Sequence, residues 1–569
     1  MYSQGCSQWK FTDHDLDNIQ RFADLLNVPP VIIRIIFNRG ITEEADIRKF
    51  LNPSLKYINK NFCPSQIDKA IQRVIKAIRE KEKIVIFGDY DADGVTGTVV
   101  LFDALKSLGA KVEYYVPYRY TEGYGLNKQA IQNFKEKGIN LIVTVDCGIS
   151  NFEEIKLANE LGIDVVITDH HTPPAQLPPA YAVVNPKCEH HDLSEYLAGV
   201  GVAYKFVYHL YKEFKDVDLL TNKKYLELVA IGTITDVVPL LGDNRIFVKK
   251  GIEKLNRETS LGLYYLLDQV RNGGINTTTI GFGIGPRINA AGRLDSASVG
   301  IELLTTRDKN KAKQLANDLN ALNEKRKREG EKIFFEATKI IELNEETLNR
   351  KVIVLSSEQW EPGIIGIVTS QMAKKFERPV VLITTKGNIS RGSIRSFSGI
   401  NIFSTLEKCQ HLLLSYGGHK EAAGFEIEKK QIEEFKDLYA TLLDQYLEGE
   451  NLNTIIHVDH ELKMSDINYK LYESLKALEP FGEGNREPVF ITKKLNAIDY
   501  NCVGKDRNHI KVLFIQGTDQ IEAIGYKMSH YMKLLESYNT FDVVYNLDEN
   551  NYNGQKKLQI KMLDLKPSY

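Results

Sequence analysis

Three short apolar segments in the first half of the chain each end at an aspartate, and this pattern constrains the fold more than any other feature. The segments lead into Asp89, Asp146 and Asp169, and stretches with helical periodicity separate them. Apolar strands that alternate with helices are typical of a parallel α/β sheet. Ligands of such sheets bind beyond the carboxyl ends of the strands. We therefore expect a ligand site where these three aspartates meet.

The sequence GDYDADG holds the densest group of acidic residues. It places Asp89, Asp91 and Asp93 two residues apart at the end of an apolar strand, where their carboxylates can face one side. Three adjacent negative charges are unfavourable unless cations neutralise them, which indicates a divalent-metal site. An EF-hand loop begins in a similar way, but its twelfth position would be Val100 in place of a bidentate glutamate. A purely structural acidic turn is the remaining alternative.

Residues of metal-binding type also follow other apolar segments. Asp146 closes one predicted strand, the run Asp169, His170 and His171 closes another, and Asp236 ends the apolar stretch VAIGTITD. Imidazole and carboxylate groups together can bind Mn²⁺ or Mg²⁺. Because parallel strands end at one edge of a sheet, we expect these residues to join the DYDADG aspartates.

Composition excludes several classes of protein. The longest apolar runs are far shorter than a membrane span, and the first residues lack a secretory signal. The six cysteines have no zinc-ribbon spacing, which suits a reduced compartment. Lys and Arg number 73 against 75 Asp and Glu, so a polyanion would need a local basic groove. We expect a cytoplasmic protein without a membrane segment.

A series of motifs resembles a known family. GDYDADG, VTVDCG, TDHH and IGTITDVVPL are similar, in this order, to the successive motifs of the DHH phosphoesterases. Further motifs resemble the RecJ exonucleases of that superfamily: YRYTEGYGL, AGVGVAYK, GPRINAAGRLDSA, WEPGIIGIVTS, GSIRS, GGHKEAAGF and FGEGNREPVF. The resemblance covers nearly the whole chain from about residue 80. Ordered motifs with long gaps between them are far more specific than any single motif.

The resemblance implies an α/β fold in which a long helix joins a parallel-sheet DHH domain to a second α/β, DHH-associated domain. Alternating strands after residue 455 indicate a small antiparallel barrel or sandwich, which the resemblance makes OB-like. The expected parts are an N-terminal extension (1–80), the DHH catalytic domain with a helical part (81–305), the connecting helix (306–348), the DHH-associated substrate-binding domain (349–450) and the OB-like nucleic-acid-binding domain (455–569). The charged connecting helix is expected to face water, with DNA contact as the alternative.

The resemblance also implies hydrolysis of phosphodiester bonds with two Mn²⁺ or Mg²⁺ ions. The implied metal ligands are Asp91, Asp93, Asp146, His170 and Asp236. Asp146 would bridge the two ions and, with His171, would form the catalytic pair. His171 would act on the phosphate or in acid/base assistance, or else only orient its neighbours. Relatives carry a histidine where this chain has Phe87, so Asp89 either replaces that ligand or supports the site from outside.

The implied substrate is single-stranded DNA, degraded from its 5′ end in repair and recombination. Ser393 and Arg395 of GSIRS would grip the terminal phosphate together with Arg119, because hydroxyl and guanidinium groups bind phosphate well. The other implied DNA contacts are Arg287, Asn289, Arg293, Gly418 and His419. Glu361 departs from the family pattern, in which His or Asn often follows the tryptophan, and its carboxylate is expected to weaken DNA contact or alter the metal preference.

The C-terminal region leaves two interpretations open. Its basic residues are Lys493, Lys494, Lys505, Arg507 and Lys511, and its aromatic residues are Phe490, Tyr500 and Phe514. In one interpretation, these residues form a basic groove with stacking platforms for a single strand. In the other, the aromatic residues fill the barrel core. Expected partners besides DNA are a helicase and a single-strand-binding protein, and the chain is expected to be a monomer. Alternative functions are a DHH phosphodiesterase of short oligonucleotides or cyclic dinucleotides, and a DNA-binding relative without catalysis.

Overall fold

The computed structural model describes two compact units. It covers residues 7–60, 62–63, 65–119, 121–188, 196–270, 273–448, 454–552 and 555–568, and within them it leaves out the side chains at positions 222, 345, 346, 551, 552 and 555. The small unit is built mainly from residues 317–456 and also takes in residues 293–295. The large unit is built mainly from residues 9–292, 296–316 and 457–569. Within the described ranges, no helix has the length and apolar character needed to cross a membrane.

Helices and strands follow one another along the whole chain. The helices are α1 (Leu16–Leu26), α2 (Pro30–Asn38), α3 (Glu44–Leu51), α4 (Ile67–Arg79), α5 (Ala92–Ser107), α6 (Lys128–Glu136), α7 (Phe152–Glu160), α8 (Gly199–Lys215), α9 (Leu219–Asn222), α10 (Leu226–Thr235), α11 (Gly242–Leu255), α12 (Leu261–Asp268), α13 (Gly285–Leu294), α14 (Ser298–Thr305), α15 (Lys309–Glu342), α16 (Glu345–Asn349), α17 (Pro362–Phe376), α18 (Phe403–Lys408), α19 (Ile432–Tyr446), α20 (Tyr469–Leu475) and α21 (Met532–Ser537). The strands are β1 (Gln8–Phe11), β2 (Lys83–Gly88), β3 (Lys111–Tyr115), β4 (Leu141–Val145), β5 (Asp164–Thr168), β6 (Ala182–Val184), β7 (Ile353–Ser357), β8 (Val380–Lys386), β9 (Ile389–Arg395), β10 (Leu413–His419), β11 (Ala422–Glu428), β12 (Ile455–Val458), β13 (His460–Glu461), β14 (Phe490–Val503), β15 (His509–Gln516), β16 (Asp519–Gly525), β17 (Thr540–Tyr552) and β18 (Gln555–Pro567).

A five-stranded parallel sheet forms the centre of the large unit. Its strand order is β3-β2-β4-β5-β6, and every neighbouring pair runs in parallel. The strands β2, β4 and β5 are apolar and almost wholly buried, because helices cover both faces of the sheet. On one face, Phe87 packs with Phe134 of α6 and Ile155 of α7. The predicted parallel α/β sheet is confirmed.

Small residues bring three helices close together near the carboxyl edge of this sheet. A Cβ at Gly97 of α5 would lie 2.6 Å from a methyl carbon of Val145 and 3.3 Å from Cα of Val200 in α8. A Cβ at Gly232 of α10 would lie 2.7 Å from Oδ1 of Asp93. Side chains at these positions would force the helices apart. The glycines therefore allow the start of α8 and the end of α10 to reach the DYDADG loop.

The small unit is a second α/β structure with a mixed sheet. Its strand order is β10-β11-β9-β8-β7, in which β7 and β8 are parallel and the other neighbours are antiparallel. Phe435 of α19 packs on one face with Phe425 and Ile394. Helix α17 packs on the other face, between the sheet and the second half of α15, and its Val368 belongs to one buried cluster with Ile333 of α15.

The C-terminal strands form a closed five-stranded barrel. The strands β14, β15, β16, β18 and β17 pair in this order, and β17 closes the barrel by pairing with β14. The pair β16 and β18 is parallel, whereas the other pairs of the barrel are antiparallel. The predicted barrel is confirmed, and the purely antiparallel pairing is corrected at this one pair.

The barrel core continues into the N-terminal helices. Ile32 and Ile36 of α2 and Phe50 of α3 belong to the same buried cluster as Phe490 and Phe541 of the barrel. Burial of apolar surface is the main favourable contribution to folding. The segment around α2 and α3 and the last hundred residues therefore stabilise each other, although they lie at opposite ends of the chain.

A buried ion pair joins the same two parts of the large unit. Nη1 of Arg39, which follows α2, lies 2.8 Å from Oδ1 of Asp459, and the two side chains are 4% and 0% exposed. The side chain of Asn38 donates a 2.8 Å hydrogen bond to the same oxygen, and the N–H of Val489 donates to the other. Burial alone would raise the pKa of Asp459, but the hydrogen bond and charge of Arg39 outweigh it and lower that pKa.

Candidate metal centre

The DYDADG loop places two carboxylates at the start of helix α5. Asp91 precedes the helix, and its Oδ1 accepts hydrogen bonds from the N–H groups of Asp93 at 2.9 Å and Gly94 at 3.1 Å. The oxygens of Asp93 accept hydrogen bonds from the N–H groups of Gly199 at 2.6 Å and Val200 at 2.9 Å, where α8 begins. Helix N-termini stabilise negative charge. The backbone itself therefore holds both carboxylates in position.

Three further predicted ligands reach the same edge of the sheet. Asp146 follows β4 with a φ of 60°, His170 lies two residues beyond β5, and Asp236 follows α10. Nε2 of His170 lies 3.0 Å from Oδ1 of Asp146, 3.6 Å from Oδ2 of Asp236 and 4.0 Å from Oδ2 of Asp93. Three groups have ligand atoms within 4.8 Å of one another: Asp89, Asp91 and Asp146; Asp93, His170 and Asp236; Asp146, His170 and His171. The structure thus brings all six predicted metal ligands together.

Four buried atoms of this cluster make no hydrogen bond with any residue that the structure describes. They are Oδ1 of Asp89, Oδ1 of Asp146, Nε2 of His170 and Oδ2 of Asp236. Buried polar atoms are normally hydrogen-bonded. Three carboxylate oxygens and an imidazole nitrogen form a donor set that suits Mn²⁺, and the oxygens suit Mg²⁺. The residues present therefore fit a divalent-metal site.

The charges in the cluster lead to the same conclusion. Burial, followed by the charges of neighbouring carboxylates, raises the pKa values of Asp89, Asp146 and Asp236 well above the usual range. Burial and then the charge of Asp91 raise the pKa of Asp93 to about 7. Burial, followed by the charge of His171, lowers the pKa of His170 to about 3, so its lone pair is available at neutral pH. Cations would supply the positive charge that keeps these carboxylates ionised.

His171 is oriented by Asp169, which was predicted to lie at this site but was given no role there, and by Tyr124, which was not among the predicted site residues. Its Nδ1 lies 2.8 Å from Oδ1 of Asp169 and 3.1 Å from the hydroxyl oxygen of Tyr124. Burial alone would lower the pKa of His171, but the hydrogen bond and charge of Asp169 raise it. Tyr124 also donates to the carbonyl oxygen of Asp146 at 3.0 Å. The YRYTEGYGL motif indicates that Tyr124 lies at a functional site, but it does not indicate the partners of its hydroxyl group.

Two of the predicted DNA contacts lie beside the cluster. The guanidinium of Arg119 is 5.0 Å from the centre of the Tyr90 ring, and its charge acts on the Asp89 carboxylate. Oδ1 of Asn289 accepts the N–H of Ala92 at 2.7 Å. Asn289 therefore braces the loop that carries the metal ligands, a contact that sequence spacing does not reveal.

The two arginines of GPRINAAGRLD are engaged within the protein. Arg287 is buried in the large unit, and its Nη1 donates to the carbonyl oxygen of Gly283 at 2.8 Å. Arg293 belongs to the small unit, and its Nη1 donates to the carbonyl oxygen of Gly363 at 3.1 Å. Both arginines thus have a structural role, and their contact with DNA stays a prediction.

The GSIRS motif forms a polar niche in the small unit. Nη1 of Arg395 donates to Oγ of Ser393 at 3.3 Å, and its Nε donates to Oγ of Ser370 at 3.1 Å. A Cβ at Gly366 would lie 3.4 Å from Oγ of Ser393 and 3.5 Å from Nη2 of Arg395. Hydroxyl groups beside a guanidinium are suited to binding a phosphate.

Gly418 and His419 end the strand β10 of the small unit. Gly418 has a φ of 146°, and a Cβ there would lie 2.5 Å from a backbone oxygen of β11, so the hairpin itself requires a glycine. His419 is exposed, and its Nδ1 accepts the N–H of Glu421 at 3.3 Å. The geometry of the hairpin is sufficient to explain the glycine, and no DNA contact is needed for it. The exposed imidazole of His419 is accessible to a ligand.

The tryptophan before Glu361 has a structural role. Trp360 is buried, and its Nε1 donates to Glu336 at 3.1 Å. Glu361 directly precedes α17, and its carboxylate lies 4.0 Å from Nζ of Lys386. Its expected influence on DNA contact or metal preference stays a prediction.

The aromatic residues predicted as stacking platforms lie mostly inside the barrel. Phe490 and Phe514 are fully buried, and Tyr500 packs against the same core. The physical reason is the alternation of a strand, since Phe514 shares its inward face with Ile510 and Val512. The stacking prediction is therefore wrong for Phe490 and Phe514, and the alternative that they fill the core is confirmed.

The basic residues of the barrel divide into two groups. Nζ of Lys493 lies 2.7 Å from Glu461, and Nζ of Lys511 lies 2.9 Å from Glu522, so these two cations are partly neutralised. The other three are exposed: Lys494, Lys505 and Arg507. A continuous basic groove formed by all five residues stays a prediction.

Comparisons with known proteins match both the single domains and nearly the whole length of this sequence. The models of the DHH family N-terminal domain, the DHHA1 domain and the RecJ OB domain match residues 83–233, 349–445 and 458–564. The single-stranded-DNA-specific exonuclease RecJ of Haemophilus influenzae is 35% identical over 95% of this chain and 96% of its own length. Crystal structures of Thermus thermophilus RecJ with Mn²⁺ and with Mg²⁺ cover 99% of this chain, with TM-scores of 0.85 and 0.78 and identities of 30% and 28%. This chain covers 80% and 79% of those two structures.

Proposed function

Because the chain belongs to the RecJ family of the DHH superfamily, we propose that it is a metal-dependent exonuclease that degrades single-stranded DNA from the 5′ end in repair and recombination. One observation carries the chemical part of this proposal. Four buried ligand atoms without hydrogen-bond partners among the described residues lie in one cluster at the carboxyl edge of the parallel sheet. A relative that binds DNA without catalysis would not need these ligand atoms.

Six residues hold the cations in this proposal. The ligands are Asp89, Asp91, Asp93, Asp146, His170 and Asp236. Asp146 would take the bridging position, because it belongs to two of the three groups of ligand atoms and has two carboxylate oxygens. His170 also belongs to two groups, but its ring offers only Nε2 to this cluster. When bound, two Mn²⁺ or Mg²⁺ ions lower the pKa of a water molecule and stabilise charge on the leaving oxygen of the scissile phosphate.

The protein groups around the cations position the reactants. Backbone N–H groups at the starts of α5 and α8 hold Asp91 and Asp93 in place. Asp169 fixes the ring of His171 and raises its pKa, so His171 stays protonated over a wider pH range. A protonated His171 donates a hydrogen bond to a phosphate oxygen and assists the transfer of a proton to the leaving group.

Recognition of the strand end determines the direction of degradation. In this proposal, Ser393 and Arg395 hold the terminal phosphate together with Arg119. The polar niche around Arg395 supports this role, since two hydroxyl groups already orient the guanidinium. The proposed contacts to the following nucleotides are Arg287, Asn289, Arg293, Gly418 and His419.

The proposal extends to the surroundings of the enzyme. An exonuclease of this type needs a single strand, which a helicase can supply and which a single-strand-binding protein can keep unpaired. We place the protein in the cytoplasm as a monomer. The proposed metal site draws all six ligands from one chain.

Single-stranded DNA labelled at either end tests the proposed function. The parent protein is incubated with each strand in the presence of Mn²⁺, Mg²⁺ or a chelator. We expect the 5′ label to leave at once as a mononucleotide and the 3′ label to remain on progressively shorter strands. Asp146→Asn serves as the inactive control. Early release of the 3′ label would reverse the proposed direction, and the absence of hydrolysis with either metal would refute the enzyme assignment.

A further inference from the structure

Helix α15 carries an exposed stripe that the proposed function does not use. The stripe runs along the second half of the helix and onto the residue that follows it, and consists of Lys325, Arg328, Lys332, Phe335, Lys339 and Leu343. Successive members are three or four residues apart, which places them on one side of a helix. We call this surface the α15 stripe.

The opposite side of α15 is buried in the small unit. Ile333, Ala337 and Ile341 pack in one cluster with Val368 and Met372 of α17. A helix that buries one side in this way directs the other side away from its neighbour. The α15 stripe therefore faces outward from α17, and packing within the small unit does not account for its composition.

The charges on the stripe have one sign. Lys325, Arg328, Lys332 and Lys339 form neither an ion pair nor a hydrogen bond with any side chain in the described part of the chain. The protein as a whole has a formal charge of −2. Four cations on one side of one helix, without neutralising partners among the described residues, are thus a local concentration of positive charge.

Five glutamates of α15 lie close to the stripe in sequence, and three of them are directed to other partners. Glu324 lies 2.8 Å from Nζ of Lys327, and Glu342 lies 3.9 Å from Nζ of Lys375. Glu336 accepts the hydrogen bond of Trp360. The other two, Glu329 and Glu331, form no ion pair with a cation of the stripe among the residues that the structure describes. No carboxylate in this part of the chain is therefore paired with the stripe.

An aromatic ring lies among the four cations. The side chain of Phe335 is 71% exposed, between Lys332 and Lys339 in the stripe. Burial of a phenylalanine ring is normally favourable, so a ring left this exposed has a large apolar area available for a ligand. Basic residues interleaved with an exposed aromatic ring match the surfaces that bind single-stranded nucleic acids, in which cations contact phosphates and rings stack on bases.

We propose that the α15 stripe is a second contact site for single-stranded DNA, in which the four cations hold phosphates and Phe335 stacks on a base. This proposal rests on the proposed function, because it takes the substrate of the metal centre as its ligand. A docked partner helix would need apolar anchors at successive three- and four-residue spacings. Most of those positions here are Lys or Arg, so the stripe favours a polyanion over an apolar helix face. From Lys325 to Lys339 the stripe is roughly 21 Å long, at 1.5 Å per helical residue, which is enough for several nucleotides.

The salt dependence of DNA binding tests this assignment. The variant K325A/R328A/K332A/K339A removes the cations and keeps helix propensity, since alanine is the strongest helix former. The matched control, K76A/R79A/K135A/K156A, removes three lysines and one arginine that are exposed on helices α4, α6 and α7. Binding of each protein to a strand of about 40 nucleotides and to one of about 6 is measured at several salt concentrations, with a chelator present to prevent cleavage.

For the long strand, we expect the slope of log K against log salt to become less negative by about 3 in the stripe variant, since each single-strand phosphate contact contributes about 0.7. Binding of the short strand in the chelator and its turnover with Mn²⁺ should match the parent, because the contacts proposed around the metal centre do not include the residues of the stripe. Phe335→Ala should weaken binding of the long strand about fivefold or more, whereas Leu343→Ala should have little effect.

Other results would overturn the proposal. An unchanged slope in the stripe variant, or an equal change in the control, would show that the stripe does not contact DNA and would leave an acidic protein partner as its ligand. If the parent itself fails to cleave the short strand, the proposed function fails, whereas the binding slopes still report on the stripe.

Discussion

The carboxylate of Asp169 lies 2.8 Å from Nδ1 of His171, just beyond the carboxyl end of strand β5. The same oxygen accepts the N–H of His170 at 2.7 Å. One buried side chain therefore fixes both a proposed metal ligand and the neighbouring proposed catalytic histidine. Groups that orient a ligand in this way affect catalysis without touching the substrate.

Replacing Asp169 with asparagine should slow hydrolysis about 10- to 100-fold, the usual effect of removing a residue that orients metal ligands. The side-chain amide of asparagine would also place an N–H group against a backbone N–H that now donates a hydrogen bond to the Asp169 carboxylate. Turnover of single-stranded DNA at saturating Mn²⁺ measures the effect. Glu160→Gln, which changes an exposed carboxylate at the end of α7, is the control and should keep the parent turnover. Equal turnover in Asp169→Asn and the parent would contradict the orienting role.

Asp146→Asn should reduce turnover by more than about 100-fold, because a bridging ligand contributes more than a residue that only supports ligands. Asparagine tolerates the left-handed conformation of this position, where φ is 60°, so the backbone can keep its shape. DNA affinity measured in a chelator should stay near that of the parent. Turnover within about tenfold of the parent would rule out the bridging assignment.

Arg395→Ala should selectively impair strands with a 5′ phosphate. Loss of hydrogen bonds from a charged donor should lower their affinity about 10- to 100-fold. Strands of the same sequence with a 5′ hydroxyl should be affected much less. Arg391→Ala on the same strand is the control, since Arg391 pairs with Glu426 at 2.9 Å. An equal loss on both substrates would make Arg395 a general backbone contact and refute end recognition.

Asp459→Asn should destabilise the large unit by about 3 to 5 kcal/mol, because it leaves the buried cation Arg39 without its partner. Glu461→Gln removes an exposed partner of Lys493 and should change stability by about 1 kcal/mol or less. Thermal unfolding followed by circular dichroism compares the two variants with the parent. If Asp459→Asn lowers the stability no more than Glu461→Gln does, the buried ion pair does not stabilise the protein more than an exposed one.

The same ion pair gives a pH dependence of stability. The pKa of Asp459 is lowered in the folded protein, so the folded state binds the proton less readily than the unfolded state. The contribution of Asp459 is fully present above the pKa of an unfolded aspartate, about 3.9, and is lost as pH falls through the lower folded value. The difference in melting temperature between the parent and Asp459→Asn should therefore be constant near neutrality and shrink below about pH 4.

The parallel sheet and its cluster of ligands could be predicted from the sequence because both follow from local patterns. Apolar strands set the sheet, and the strand ends bring Asp146 and His170 to the same edge as the DYDADG loop. The roles of Tyr124 and Asn289 could not be predicted in this way. Each contacts the site through a segment that is distant in sequence, and its hydrogen bond depends on tertiary packing.

The barrel shows a different limit of prediction from the sequence. Alternation along β15 already places Phe514 on the same side as Ile510 and Val512, but it does not say which side is inward. Closure of the barrel decides this, because the pairing of β17 with β14 encloses one face of the sheet. The parallel pair of β16 and β18 also results from closure, and no local pattern indicates it.

The core shared by the N-terminal helices and the barrel has a consequence for synthesis on the ribosome. Phe50 and Leu462, which lie in the same cluster, are roughly 400 residues apart, a distance that takes about 20 to 80 s to translate at 5 to 20 residues per second. During that time the apolar sides of α2 and α3 have no barrel to cover them. The nascent chain must therefore carry an exposed hydrophobic surface until its last segment emerges, which makes this segment the natural point of engagement for chaperones.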